Sequence, residues 1–320
     1  MAATLHRFAL AAALVLAVVA PGRADDILRV GKASPTAIAM MPLEVGLHEG
    51  IFKKHGIDLK IIDFEGGGKM HQGMAAGSID IGVGAGPEMA FVAKGSPELA
   101  VANVAGPPLF IGIMVAWNSP IHAVDQLKGK KIGVSSQNSM TYWMALELAR
   151  HEGWGPEGVT PVTIGGQFAA VIAAFKTHEI DAEISSTANA FELELKKEGR
   201  LLIPVSDYLG NMGADMIFAS DRIIHANPGA VRRFLVAWFE TVDFMRHHHA
   251  ESIKVIAGVT GLNPEVQKRE FDQSMPMFNE DGRFDKQSLD NLERSFTTLK
   301  LLDHTPDMSK LYTEAFLPKH

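Results

Sequence analysis

The chain contains no cysteine in its 320 residues. That excludes disulfide staples, a cysteine nucleophile and the lipid-bearing cysteine that tethers many exported bacterial proteins. Excess positive charge is missing too. The 30 Lys and Arg stand against 37 Asp and Glu, a formal net charge of -7, whereas nucleic-acid binders carry a basic footprint. Long apolar runs are scarce: the longest, Phe8 to Ala20, has 13 residues, short of the ~20 that span a bilayer. No G-x-S-x-G nucleophile elbow and no H-E-x-x-H zinc helix occur in the sequence. His247-His248-His249 invites a metal reading, but consecutive helical residues point in different directions and do not converge on one ion. The triplet reads as a solvated helix end. No catalytic residue, metal or cofactor is expected, and the chain reads as a binder rather than an enzyme.

What is present begins at the N-terminus. His6 and Arg7 precede the apolar run, Pro21-Gly22 break it, and Gly22-Arg23-Ala24 forms a small-x-small cleavage site. This layout predicts a cleavable secretory signal over residues 1–24 and a mature chain from Asp25. With no lipid anchor, the expected location is free in a bacterial periplasm. A hydrophobic content of 47% over this length suits two domains of roughly 100–200 residues each.

Short apolar runs then alternate with helical patterns. Ile27 to Gly31 reads as a strand, Pro42 to Gly56 as a helix, Ile57 to Phe64 as a strand, Lys69 to Gly77 as a short helix and Ile79 to Gly84 as a third strand. This β-α-β-α-β order implies a mainly parallel sheet. Gly66-Gly67-Gly68-Lys69 resembles a phosphate loop at first sight. The spacing rejects it: Asp63 stands where a P-loop needs its first Gly, Met70 follows the Lys, and His71 takes the third glycine position of a dinucleotide fingerprint.

The first set of landmarks recurs about a hundred residues later. Gly31 matches Gly133, His48-Glu49-Gly50 matches His151-Glu152-Gly153, Gly67-Gly68 matches Gly165-Gly166, and Ile79-Asp80 matches Ile180-Asp181. A period this long is no solenoid. It predicts an α/β protein of two similar lobes with mainly parallel sheets, joined by two crossing segments at Pro108–Ile121 and Asn211–Ala230. Lobe 1 is expected over 25–115 and 216–320, with C-terminal helices starting at Asn227-Pro228, and lobe 2 over 116–215.

In open parallel sheets, ligands bind beyond the carboxyl ends of the strands, where helix N-termini present free N–H groups. Those ends nominate Ser34, Thr36, Gly67, Gly68, Lys69 and Glu88 in lobe 1. In lobe 2 they nominate Ser135, Gln137, Asn138, Ser139, Thr141, Gln167, Phe168, Ser185 and Ser186. The glycine triplet then serves as a rim where backbone approaches a ligand closely, or as a plain tight turn. No arginine falls on these rims, although planar capture of a strong anion normally uses one.

Five stretches in order carry a family resemblance: PLEVGLHEGIFKKHGIDLKI, GGGKMHQGMAAGSIDIGVGAG, VDQLKGKKIGVSSQNSMTYWMALELARHEGW, AAFKTHEIDAEISS and NPGAVRRFLVAWFETVDFM. Together they resemble the periplasmic solute-binding proteins of ABC importers, type 2 fold, in the group that takes nitrate, sulfonates, taurine and thiamine precursors. The resemblance implies a hinged, monomeric receptor for a small molecule, partnered by an inner-membrane ABC permease and not by nucleic acid. Two alternatives share the fold: a thiamine-pyrimidine-pathway enzyme and a sensory binding protein. Group members often carry an aromatic or Trp-Glu-Pro motif after the last lobe-two strand, where this chain reads ISSTANAF, without Trp or Pro.

Overall fold

The computed structural model describes residues 25–64, 66–137, 139–165 and 168–319. The expected export signal and its cleavage after Ala24 lie outside the described residues, as do Asn138, Gly166, Gln167 and the side chain of Phe168.

Two five-stranded sheets follow one plan. The strands are β1 (Asp26–Lys32), β2 (Ile57–Asp63), β3 (Ile81–Ala85), β4 (Glu98–Ala105), β5 (Ile111–Ala116), β6 (Lys131–Val134), β7 (Thr160–Thr163), β8 (Ala182–Ser186), β9 (Gly199–Pro204) and β10 (Asp215–Ser220). The first sheet has the order β2-β1-β3-β10-β4 and the second β7-β6-β8-β5-β9. In each, three parallel strands are followed by one antiparallel strand, and then by a strand that again runs with the first three. All but one strand per sheet point the same way, as the β-α-β-α-β order implies. The odd strand comes from the other half of the chain. The first crossing occupies residues 106–110, and the return runs through residues 205–214. The expected boundary after residue 115 therefore falls one strand late. β5 hydrogen-bonds to β8 and β9, and an apolar run does not by itself declare which sheet will take it.

The recurring words mark the same packing events in both lobes. Asp80 N–H donates to the Arg29 carbonyl at 2.8 Å, while Arg29 N–H donates to the Asp80 carboxylate at 3.0 Å. Asp181 N–H donates to the Lys131 carbonyl at 2.8 Å, and Lys131 N–H returns a bond to the Asp181 carboxylate at 2.9 Å. Each aspartate closes a ring that sets the register where the third strand enters beside the first. The preceding isoleucine covers the matching glycine. A Cβ on Gly31 would stand 2.5 Å from Ile79 Cδ1, and one on Gly133 would stand 3.0 Å from Ile180 Cδ1. Gly50 (φ 71°) and Gly153 (φ 68°) are left-handed residues that end helices. Gly50 is also why Pro42–Gly56 forms two helices, α1 (Pro42–His48) and α2 (Ile51–Lys54), rather than one.

The remaining helices of lobe 1 are α3 (Gly67–Ala75) and α4 (Met89–Ala93). Lobe 2 has α5 (Met140–His151), α6 (Phe168–Lys176) and α7 (Thr187–Leu195), and α8 (Ser206–Leu209) lies in the return crossing. The C-terminal set is α9 (Asp221–Ala226), α10 (Pro228–His247), α11 (His249–Thr260), α12 (Pro264–Ser274) and α13 (Lys286–Thr298). α10 starts as its sequence predicts. The Asn227 side chain accepts from Ala230 N–H at 3.1 Å, and Pro228 opens the first turn. Its buried residues Val231, Phe234, Leu235, Trp238, Val242 and Met245 recur at steps of three and four. They pack on α1 and α2, with Phe234 stacked on Phe52 at 5.3 Å. His247, His248 and His249 are exposed at the junction of α10 and α11.

α12 bridges the lobes. It touches the 3-10 turn Ile38–Met40 of lobe 1 and packs along α7 of lobe 2. There Val266 is buried against Ala188 and Phe191. The Arg269 guanidinium lies 3.9 Å from the Phe191 ring centre and donates to Glu194 at 2.7 Å. α13 adds a second tie, Asn291 donating to the Asn211 carbonyl at 2.6 Å in the return crossing.

Candidate functional site

A cavity of about 280 Å³ lies between the lobes. Lobe 1 contributes Ser34, Thr36, Ala37 and Ile38, which follow β1; lobe 2 contributes Thr141, Ser185, Ser186, Ala188 and Asn189. Phe110 comes from the first crossing and Ile111 from the start of β5, and Thr260, Leu262 and Glu270 come from the C-terminal segment. The residues beyond β1 and β8 thus meet where the rule for open sheets places a ligand.

The polar groups of lobe 2 are held by local bonds. Ser186 caps α7, its hydroxyl accepting from Asn189 N–H at 3.3 Å. The Asn189 amide donates to the Ser185 hydroxyl at 2.8 Å, and Thr187 N–H donates to the Phe110 carbonyl at 2.9 Å. The positive end of the α7 dipole therefore opens on the cavity with its hydroxyls fixed. At α5, Ser139 caps the helix through Tyr142 N–H at 3.2 Å. Thr141 Oγ1 accepts from Ser135 N–H at 3.0 Å and lies 3.0 Å from the hydroxyls of both Ser135 and Ser139. From the C-terminal side, Glu270 is 5% exposed, and burial pushes its carboxyl up to about 7.

A second inter-lobe hollow of about 420 Å³ is more apolar. Gly66, Gly67, Pro87, Glu88 and Phe91 line it from lobe 1, Ser139 and Met140 from lobe 2, and Leu299 and Leu301 from the segment after α13. Its glycines have a specific cause. A Cβ at Gly67 or Gly84 would overlap the Glu88 carboxyl. That carboxyl is anchored from behind by His71, whose Nε2–H donates to it at 3.0 Å while Nδ1–H donates to Glu98 at 2.8 Å. Burial works against charge on this imidazole, but the bonds to Glu88 and Glu98 outweigh it and hold its pKa at about 9. Phe91 stacks on its face at 4.7 Å and Phe218 meets it edge-on at 4.8 Å. A larger hollow of about 610 Å³ is lined by α1 and α11 residues such as Leu47, His48, Lys254 and Val259. Among the described residues, all of its lining comes from lobe 1 and the C-terminal helices.

Of the residues nominated by the sequence, Ser34, Thr36, Thr141, Ser185 and Ser186 line the polar cavity, and Gly67, Glu88 and Ser139 line the second hollow. Ser135 stands behind Thr141. Gly68 faces Phe91 rather than either hollow's centre, a Cβ there coming to 3.7 Å from the ring. Lys69 and Gln137 are exposed and line neither hollow. Asn138, Gln167 and the Phe168 side chain lie outside the described residues. Asn189, which closes the same strand-end stretch as the nominated Ser185 and Ser186, lines the cavity although it was not itself nominated. The sequence reading missed Glu270, which no motif announces.

Comparison with known proteins follows the same lines. The family model described as NMT1/THI5 like matches residues 38–252. The chain belongs to the NMT1/THI5-like family. One relative is 4-amino-5-hydroxymethyl-2-methylpyrimidine phosphate synthase THI5 of Saccharomyces cerevisiae, 27% identical over 87% of this chain and 84% of its own length. Another is a putative aliphatic sulfonates-binding protein of Bacillus subtilis, 25% identical over 91% of this chain and 87% of its own. Among solved structures, the periplasmic aliphatic sulphonate binding protein SsuA of Escherichia coli superposes with a TM-score of 0.77. It is 21% identical and covers 91% of this chain and 92% of its own. This last likeness establishes the fold: two lobes of the periplasmic-binding-protein type.

Proposed function

We propose that the chain captures a small solute between two lobes that close about the crossing segments, and delivers it to the membrane permease of an ABC importer. The carrying observation is the polar cavity to which both lobes, the first crossing and α12 all contribute walls. A site so divided is complete only when the halves are together, and that couples occupancy to closure. Its lining supports binding over chemistry. Among the described residues it holds hydroxyls, one amide and one carboxyl, and no His, Lys or Cys. The name of the Bacillus relative supports a sulfonate or a similar small organic acid as one class of solute. Capture in a periplasm, after removal of residues 1–24, accords with the composition of the N-terminus.

The yeast relatives favour a second reading, an enzyme of pyrimidine formation. One experiment separates the two. Protein recovered from its native compartment is denatured, and the released small molecules are identified by mass spectrometry. A stoichiometric solute, returned to the ligand-free protein unchanged and raising its melting temperature, supports capture. Conversion of the returned molecule, or a protein that is cytosolic and retains residues 1–24, supports the enzyme.

A further inference from the structure

We propose that Glu270 forms a subsite for a cationic, hydrogen-bond-donating group, so that the solute held in the polar cavity carries an amine as well as an acidic group. The proposal rests on the capture reading and deepens it.

The side chain lines the cavity and is 5% exposed. Among the described residues it makes no hydrogen bond and no ion pair. Its neighbour on α12, Arg269, is turned to Glu194 and the Phe191 ring instead. Every other titratable type is missing from the described lining, so this carboxyl is the one ionisable group facing the space. A buried carboxylate without a partner is costly, and two events relieve it: protonation, or arrival of a positive donor. Burial alone displaces its pKa upward to about 7, which favours the first. A bound ammonium supplies the second.

The part of the lining that lobe 2 contributes has the opposite character. Ser185, Ser186 and Asn189 surround the start of α7, whose dipole end favours an acid's oxygens. A solute that is only an anion would satisfy that wall and be repelled by Glu270. A solute with an acid at one end and an amine at the other satisfies both. The cavity volume of about 280 Å³ suits a chain of a few carbons between them.

The test is isothermal titration calorimetry on matched pairs of probes, 3-aminopropanesulfonate against propanesulfonate and 4-aminobutyrate against butyrate. Wild type and Glu270→Gln are compared at pH 7. The amine-bearing member of at least one pair is expected to bind about 10- to 100-fold tighter, as a charge-assisted bond implies. In wild type its binding enthalpy should vary with the buffer's ionisation enthalpy, because the amine expels the proton from Glu270. Both the preference and the proton release should vanish in E270Q, with melting of the ligand-free variant unchanged or raised. Equal binding of both members, or a preference that survives in E270Q, overturns the subsite while leaving solute capture intact. No binding of any probe, with no closure seen by small-angle scattering, overturns the subsite and counts against the capture reading as well.

Discussion

His71 Nε2 stands 3.0 Å from the Glu88 carboxylate, and this bond reaches through the wall of lobe 1 to the inter-lobe surface. The imidazole is buried and engaged at both nitrogens, so it is charged in the folded protein up to a pH of about 9. In the unfolded chain it loses its proton near 6.5. The raised value means that its contribution to stability is fully present below pH 6.5 and is lost as pH rises toward 9. A shift of this size corresponds to about 3 kcal/mol. Urea unfolding should show wild type losing stability between pH 6.5 and 9.5. His71→Gln should be less stable at pH 6 and show a flatter dependence over that window. An equal slope in both proteins would contradict the assignment.

Glu183 in β8 predicts a pH effect in a lower window. It is buried, its Oε2 has no hydrogen-bond partner among the described residues, and burial pushes it up to about 8. A carboxyl raised in the folded state binds its proton more readily there than in the unfolded chain. Its contribution to stability is therefore most favourable below pH ~4.5 and declines as pH rises to 8. Glu183→Gln should melt several degrees higher than wild type at pH 8, with the gain disappearing near pH 4.5. Thermal melts by circular dichroism at the two pH values decide it.

The glycine–isoleucine pairs are testable by overpacking. Gly31→Ala would press on Ile79 Cδ1, Met70 Cγ and Phe64 Cε2, and Gly133→Ala on Ile164 Cδ1 and Ile180 Cδ1. Each should cost about 1–3 kcal/mol in chemical unfolding. Ile79→Val should recover part of the first loss and none of the second. Recovery of both would mean that the contact is not the cause.

These pairs also explain why the two lobes were legible in the sequence. The Ile79 side chain covers Gly31 and Asp80 bonds to Arg29 on the same strand, just as Ile180 covers Gly133 and Asp181 bonds to Lys131. Any sequence that builds the unit twice must therefore write the words twice. The capping serines Ser139 and Ser186 were legible for the same local reason, and so was the start of α10 at Asn227-Pro228. Two things were not. The glycine triplet looked like a rim open to ligand, but Gly67 is glycine because a carboxyl 21 positions further along, Glu88, occupies the space where its side chain would stand. Glu270 lies in the polar stretch KREFDQS and owes its burial to α12 bridging both lobes, a long-range event that leaves no periodic trace.

The same bridge yields a prediction about lobe movement. Arg269 holds α12 to lobe 2 through Phe191 and Glu194, contacts worth about 1–2 kcal/mol together. Arg269→Ala should leave the fold intact, weaken solute affinity several-fold and increase the radius of gyration of the ligand-free protein. An unchanged radius with unchanged affinity would show that α12 is not a latch.

Closure of the lobes on a solute is directly measurable because the chain contains no cysteine. Lys60→Cys in β2 and Glu157→Cys just before β7 place one spin label on each lobe at exposed positions. Their separation can be read by double electron–electron resonance with and without a solute that raises the melting temperature. Lobe closure shifts this to a shorter, narrower distance distribution when the solute is bound. The same distribution in both states, with the solute demonstrably bound, would contradict it.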